Sequence, residues 1–266
     1  MSDQEKKGTI KNMNESEMFG KPNVETFTLP SNKKVSIRER NGEDEDVLSK
    51  LQNNTDGLAF DLFLQAIIID YDGKGRLTLD EVRAFRIRDK YYLLYKSRVQ
   101  SLGKEIEFKH TFQGTQEPIF FTEDLSIFDA DLSKELLGDL RKEQIHPYAT
   151  NPADNRFSFT ISSGKECRME YLTSFQESKV LEKETSQLSI NEKLRIRSFE
   201  LKDSNGVWRK IERFNLLLSK EMIEIRKKLE EFDSEFGLLI KIKHPNKGMV
   251  EEVSLFLYED FFFPGV

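Results

Sequence analysis

Residues 70 to 81 read DYDGKGRLTLDE, which places Asp70, Asp72 and Glu81 at positions one, three and twelve of an EF-hand calcium loop. Gly75 stands at the turn position of that motif and Leu77 at its buried apolar position. Carboxylates at this spacing wrap a hard cation in oxygen ligands. Lys74, however, puts an ammonium where a further oxygen belongs, and no second loop of this kind is present to pair with it. Thr78 and Glu81 also satisfy the S/T-x-x-E capping box, in which each side chain accepts from a backbone N–H at the start of a helix. Two readings therefore compete, a single calcium site and a tight Asp-Gly turn between two helices. The second explains the same residues without a metal and is preferred.

Other reactive side chains are scattered. His110, His146, Cys167 and His244 include no pair at zinc-ligand spacing. Cys167 lies in a strand-like run, where a lone cysteine is ordinarily buried and inert. The chain has no Gly-rich phosphate loop, no GxSxG and no HExxH. Acid pairs such as Asp129 and Asp131 read as solvated charge in a chain with 47 Asp and Glu. Nothing here argues for an enzyme or a cofactor.

The elements that must position these residues define an α+β class. Residues 1 to 25 are polar and aperiodic and read as an extended arm. A hairpin follows, with strands at 26 to 29 and 34 to 38 around Pro30-Ser31-Asn32-Lys33 and an apolar face of Phe27, Leu29, Val35 and Ile37. GEDED at 42 to 46 opens one helix with acid where the macrodipole favours it. Thr55 caps a second, apolar nearly all round, through residue 69. A third runs from Leu79 to about Gln100, with Val82, Phe85, Tyr92, Tyr95 and Val99 at helical spacing and Gly103 as its stop.

From Ile106 the texture turns strand-like, and 147 to 155 reads as a loop or linker. Residues 156 to 161 and 166 to 171 alternate across SSGK, and Asn205-Gly206 marks another hairpin. Ser219 caps a helix with a seam of Met222, Ile225, Leu229 and Phe232, and a Pro-turn hairpin precedes the end. The expected division is an arm at 1–25, a hairpin with helices at 26–105, a β-rich region at 106–190, and hairpins with a helix and an aromatic tail at 191–266. The first third is thus expected to be mainly helical.

Composition narrows the partners. A net charge of −6 with both signs interspersed argues against general nucleic-acid affinity, which needs a positive surface. The most apolar run, 58 to 69, contains Asp61 and falls short of the ~20 residues of a membrane span. The single cysteine fits a reducing cytoplasm. These features lead to the expectation of a soluble protein.

Two surfaces stand out as contact candidates. Arg83, Arg86 and Lys90 share one face of the third helix, either as a solvated face or as a site for an acidic partner. Phe261, Phe262 and Phe263 followed by Pro264 cannot all face one core from a strand, because successive side chains alternate. An interface anchor and a tail folded back on its own domain explain them equally.

Three stretches in order carry a resemblance. FTLPSNKKVSIRERNGEDED resembles the opening of bacteriophage tail and baseplate proteins, and LTLDEVRAFRIRDKYYLLYKSRVQSLG resembles the central helix of T-even-type baseplate hub proteins. The close, from FDSEFGLLIKIKHPNKG to EDFFFPGV, is similar to the end of that family. Together they span most of residues 26 to 266. Some members carry cysteine pairs in the middle β segment that suggest zinc. Here KHTFQGTQEPIFF offers only His110, so no metal carries over. The resemblance implies a structural component of a contractile tail baseplate, in the hub or inner wedge. Its partners would be other tail or baseplate proteins and further copies of itself, and its place the virion, reached through the host cytoplasm. The alternatives are a tail-assembly chaperone absent from the finished particle and a single EF-hand-like calcium-binding protein.

Overall fold

Pro30 and Ser31 turn the chain between β1 (Val24–Thr28) and β2 (Lys34–Arg38), closed by the Leu29 N–H donating to Lys33 O at 2.8 Å. A computed structural model of the chain describes residues 22–31, 33–49, 58–128, 156–181, 189–233 and 238–263. The arm up to residue 21, the Thr55 cap, Asp129, Asp131, His146, the 147–155 linker and Pro264 lie outside them. The class is α+β, with antiparallel sheets throughout. Val24 and Glu25 are already strand, so β1 opens inside the stretch expected to be an arm.

After α1 (Gly42–Ser49), α2 (Leu58–Ile67) passes directly into β3 (Ile68–Tyr71), which pairs with β2. The expected helix thus ends two residues early, since Ile68 and Ile69 complete a three-stranded sheet. The first third accordingly holds strands as well as helices. The third expected helix is two: α3 (Leu79–Arg83) and α4 (Ile87–Leu102). Arg86 is extended, at φ −62° and ψ 143°, and bridges Thr173 as in a sheet. Ser174 N donates to Phe85 O at 3.0 Å, and Ile87 N donates to Leu172 O at 2.9 Å. A tertiary partner has outcompeted the local helical bonds at these residues. Gly103 at φ 83° ends α4 as its type requires.

Two apolar cores follow. The first joins the β1–β2–β3 sheet, α2, α3, α4 and the hairpin of β4 (Glu105–His110) and β5 (Ile119–Asp124). It is completed from the far end of the chain by β10 (Leu239–Lys243), β11 (Val250–Ser254) and Phe261–Phe262. The second lies between. It is built on β6 (Arg156–Thr160), β7 (Glu166–Glu170), α6 (Ile190–Ile196), β8 (Glu200–Lys202) and α7 (Ser219–Asp233), with β9 (Trp208–Lys210) completing the sheet and α5 (Ser174–Leu181) tied to it by Gln176, which donates to Glu170 Oε2 and Ile196 O. Among the described residues, the first core uses positions up to 128 and from 238 onward, and the second those from 157 to 229.

The two hairpins read from SSGK and Asn205-Gly206 form β6–β7 and β8–β9 of one four-stranded sheet. Helix α7 begins at Ser219 itself, and the Leu218 N–H is met by Glu221 Oε2 at 2.9 Å. Its Ile225 and Leu229 are buried against the sheet, as the seam requires, while the Phe232 side chain lies outside the described residues. Helices α5 and α6 escaped the periodicity reading because both are short.

Glu221 pins α7 to the β6–β7 turn. Its carboxylate accepts from Lys165 Nζ, Ser163 Oγ and the Leu218 N–H, which together pull its pKa from 4.5 to about 2. A carboxylate depressed in the folded state stabilises above its unfolded value, and that stabilisation is lost as pH falls through the folded one. Urea unfolding followed between the two pH values, about 4.5 down to about 2, should therefore show a falling midpoint. In Glu221→Gln the fall should be shallower across that window; an unchanged slope would remove Glu221 as the acid-sensitive group.

Candidate functional site

The calcium-like loop is built from capping and turn hydrogen bonds. Asp70 accepts from the Gly75 N–H at 2.8 Å and the Gly73 N–H at 3.1 Å, so its two oxygens fold the turn. Asp72 sits at φ 53° and receives Lys33 Nζ at 2.7 Å, the first cause of its lowered pKa. Glu81 accepts from the Thr78 N–H at 2.8 Å and Thr78 Oγ1 at 2.9 Å, and Thr78 Oγ1 accepts from the Glu81 N–H, which closes the capping box. Because β3 enters the loop as a strand, the helix–loop–helix frame expected of an EF-hand is not formed. Among the described residues, no group of three or more His, Cys, Asp and Glu side chains is placed to hold a metal ion.

The expected basic face is mostly turned inward. Lys90 is 1% exposed; it donates to Ser174 Oγ at 2.8 Å and Glu177 Oε2 at 2.9 Å and is ion-paired with Asp61 Oδ1 at 3.0 Å. Ser174 Oγ in turn donates to Asp61 Oδ1, and Tyr91 Oη donates to Glu177 Oε1 at 2.6 Å. Burial, then Glu177, holds the Tyr91 phenol well above its ordinary pKa. Arg83 lies 3.9 Å from Asp61 Oδ2 and over the Phe175 ring, and Arg86 stacks 3.9 Å over Tyr171. Lys90 is therefore not part of a solvated face, while Arg83 and Arg86 stay half-buried beside it. Asp61 demands a cation once α2 is buried, and α4 and α5 supply the rest.

A serine beside a lysine is a pairing used for nucleophilic catalysis. Here Lys90 is held by two carboxylates, and both it and Ser174 are 1% exposed, so no substrate could reach them. The cluster does mechanical work, holding α2 and α4 of the first core to α5, whose Gln176 in turn bonds Glu170 and Ile196 beside the second.

A second polar chain ties β4 to the C-terminal hairpin. His110 meets Tyr258 Oη through Nδ1 at 2.7 Å and Glu251 Oε2 through Nε2 at 2.8 Å. Glu251 also accepts the Gln113 N–H at 2.8 Å, the largest cause of its lowered pKa, with His110 next. Glu, His and Tyr in series have the connectivity of an acid–base relay. The series ends on a half-buried phenol packed 4.6 Å from Phe108, a structural position. His244 Nδ1 accepts from the Asn246 and Lys247 N–H groups and closes the Pro-turn. Cys167 is buried in β7, and burial, then Glu221, pushes its thiol up to about 12, in keeping with an inert residue.

The aromatic tail is resolved in favour of its own core. Residues 259 to 261 form a 3-10 turn and not a strand, so alternation does not apply. Phe261 is fully buried and Phe262 nearly so, with Phe262 5.2 Å from Phe60 and Phe261 4.8 Å from Phe256. Phe263 packs partly against the same core. Phe261 and Phe262 are therefore not exposed interface anchors.

Sequence reasoning missed Ser174, Glu177, Glu251 and Tyr258 as partners, since each acts across more than eighty residues. Asp61 was the one visible signal, an acid in an otherwise apolar helix.

No protein-family model, curated protein or solved structure matches the chain. No helix of the described residues is long and apolar enough to cross a membrane.

Two stability measurements check this geometry. Lys90→Met should destabilise by about 3–5 kcal/mol in urea unfolding, because it strands Asp61 and Glu177; a loss under about 1 kcal/mol would mean that water already screens them. Phe261→Ala should likewise lose about 3–5 kcal/mol. A neutral result there would return the tail to the surface.

Proposed function

We propose that the chain is a structural component of a contractile phage tail baseplate, in the hub or the inner wedge around it, and that it acts through assembly contacts without chemistry of its own. The supporting observation is that the three stretches carrying the resemblance contribute to one core. Leu29, Val35 and Ile37 from the first pack with Leu93, Leu94 and Tyr95 from the second and with Ile240, Ile242 and Phe261 from the third. A set of segments that is similar in order and also shares a core reads as one inherited unit, with the second core carried between them. The reactive side chains support the same view, since each cluster among the described residues is consumed by packing or capping.

The partners proposed are other tail or baseplate proteins and further copies of this chain, and the location proposed is the virion. Polar extended segments that order on docking lose their conformational entropy at that step, which suits stepwise assembly. Mass spectrometry of purified tails should detect the chain at a fixed ratio to the other baseplate proteins. Its presence in infected-cell lysate but absence from finished particles would replace this reading with that of an assembly chaperone.

A further inference from the structure

Two exposed surfaces of opposite charge each carry apolar side chains that the fold leaves uncovered. The first surrounds the start of α7. Leu216 and Leu218 are 72% and 67% exposed, and Ile223 in the first turns of the helix is 52% exposed. Lys220 and Lys227 are exposed at three before and four after Ile223, so they flank it on one helical face. The two acids nearest Ile223 on the same helix are committed elsewhere, Glu221 to Ser163 and Lys165 and Glu224 to Ser162. The start of α7 is therefore cationic and apolar on a chain whose net charge is −6.

The second surface is the outer face of the β4–β5 hairpin. Glu105, Glu107 and Lys109 alternate onto it from β4, and Phe120, Thr122 and Asp124 from β5. Phe120 is 72% exposed, with only Lys109 over its ring at 5.2 Å, and Ile127 just beyond is 51% exposed. Glu105 stands directly opposite Asp124. Like charges across an antiparallel pair repel. Ser126 donates to Asp124, while Glu105 and Glu107 remain exposed on the open face.

We propose that these surfaces bind each other between successive copies of the chain, the α7 surface of one on the β4–β5 surface of the next. Charge complementarity selects this occupant. Lys220 and Lys227 meet the Glu105–Glu107–Asp124 side, and Leu216, Leu218 and Ile223 cover Phe120 and Ile127. Because the two surfaces differ, the contact is heterologous, and its repetition gives a closed ring or an open filament. The inference deepens the assembly reading and takes its biological setting from it.

Sedimentation velocity on the purified full chain tests this directly. Wild type should associate with increasing concentration, roughly tenfold more weakly at about 0.5 M than at about 0.05 M salt. Leu218→Asp combined with Lys220→Glu, and separately Phe120→Asp, should each give monomers with unchanged circular dichroism. Mixed in equal amounts the two variants should form dimers and nothing larger, since each keeps the surface the other lacks. The proposal fails if wild type stays monomeric at low salt, if either variant associates like wild type, or if the mixture yields no dimer. Cosedimentation of a monomeric wild type with phosphatidylglycerol vesicles, abolished by the Leu218→Asp, Lys220→Glu variant, would assign the α7 surface to anionic lipid instead. A monomer nonetheless present in purified tails would end this contact while leaving the baseplate role intact.

Discussion

The charge on Lys90 sits where two hydrophobic cores meet, and the architecture is arranged around neutralising it. Taking an ammonium out of water is costly by several kcal/mol, and only near-ideal geometry offsets that. Asp61, Glu177 and Ser174 provide it from two other helices. The break between α3 and α4 belongs to the same arrangement. Arg86 leaves the helical path to bridge Thr173, the residue immediately before Ser174, so the backbone bridge and the ionic cluster fix the same junction. A hydrophobic contact here would glue the cores together; a set of directional bonds also sets their registry.

How much of this was legible depended on range. The capping box at Thr78 and Glu81, the Gly103 stop and the Asn205-Gly206 turn were all readable, since each is decided within about four residues. The break at Arg86 was not. Ala84, Phe85 and Arg86 are compatible with a helix, and the competitor that won lies on a strand-like segment some ninety positions away in the sequence. Lys90 shows the same limit. Beside Arg83 and Arg86 it looks like a solvated face, and only the burial of Asp61 inverts that meaning.

The aromatic tail went unresolved for a different reason. Alternation correctly forbids three adjacent phenylalanines from facing one core in a strand, but the backbone adopts a 3-10 turn, where that constraint lapses. Similarly, the acids of the calcium-like loop match a metal-site spacing because tight turns and oxygen cages both need carboxylates and glycines close together. The distinction lies in where the carboxylate oxygens point. Asp70 and Glu81 direct theirs at backbone N–H groups.

The interrupted first core has a bearing on how the molecule is made. Residues 29 to 125 supply most of that core, yet it closes only with Leu238, Ile240, Ile242, Leu255 and Phe261. Among the described residues, the second core draws on nothing beyond Leu229. On a ribosome the middle of the protein can therefore finish while the surrounding part waits, with apolar surface open, for its last strands to emerge. A chain that stops short of the final hairpin would hold one finished half and one unfinished half, and a quality-control protease would have a long interval in which to recognise it.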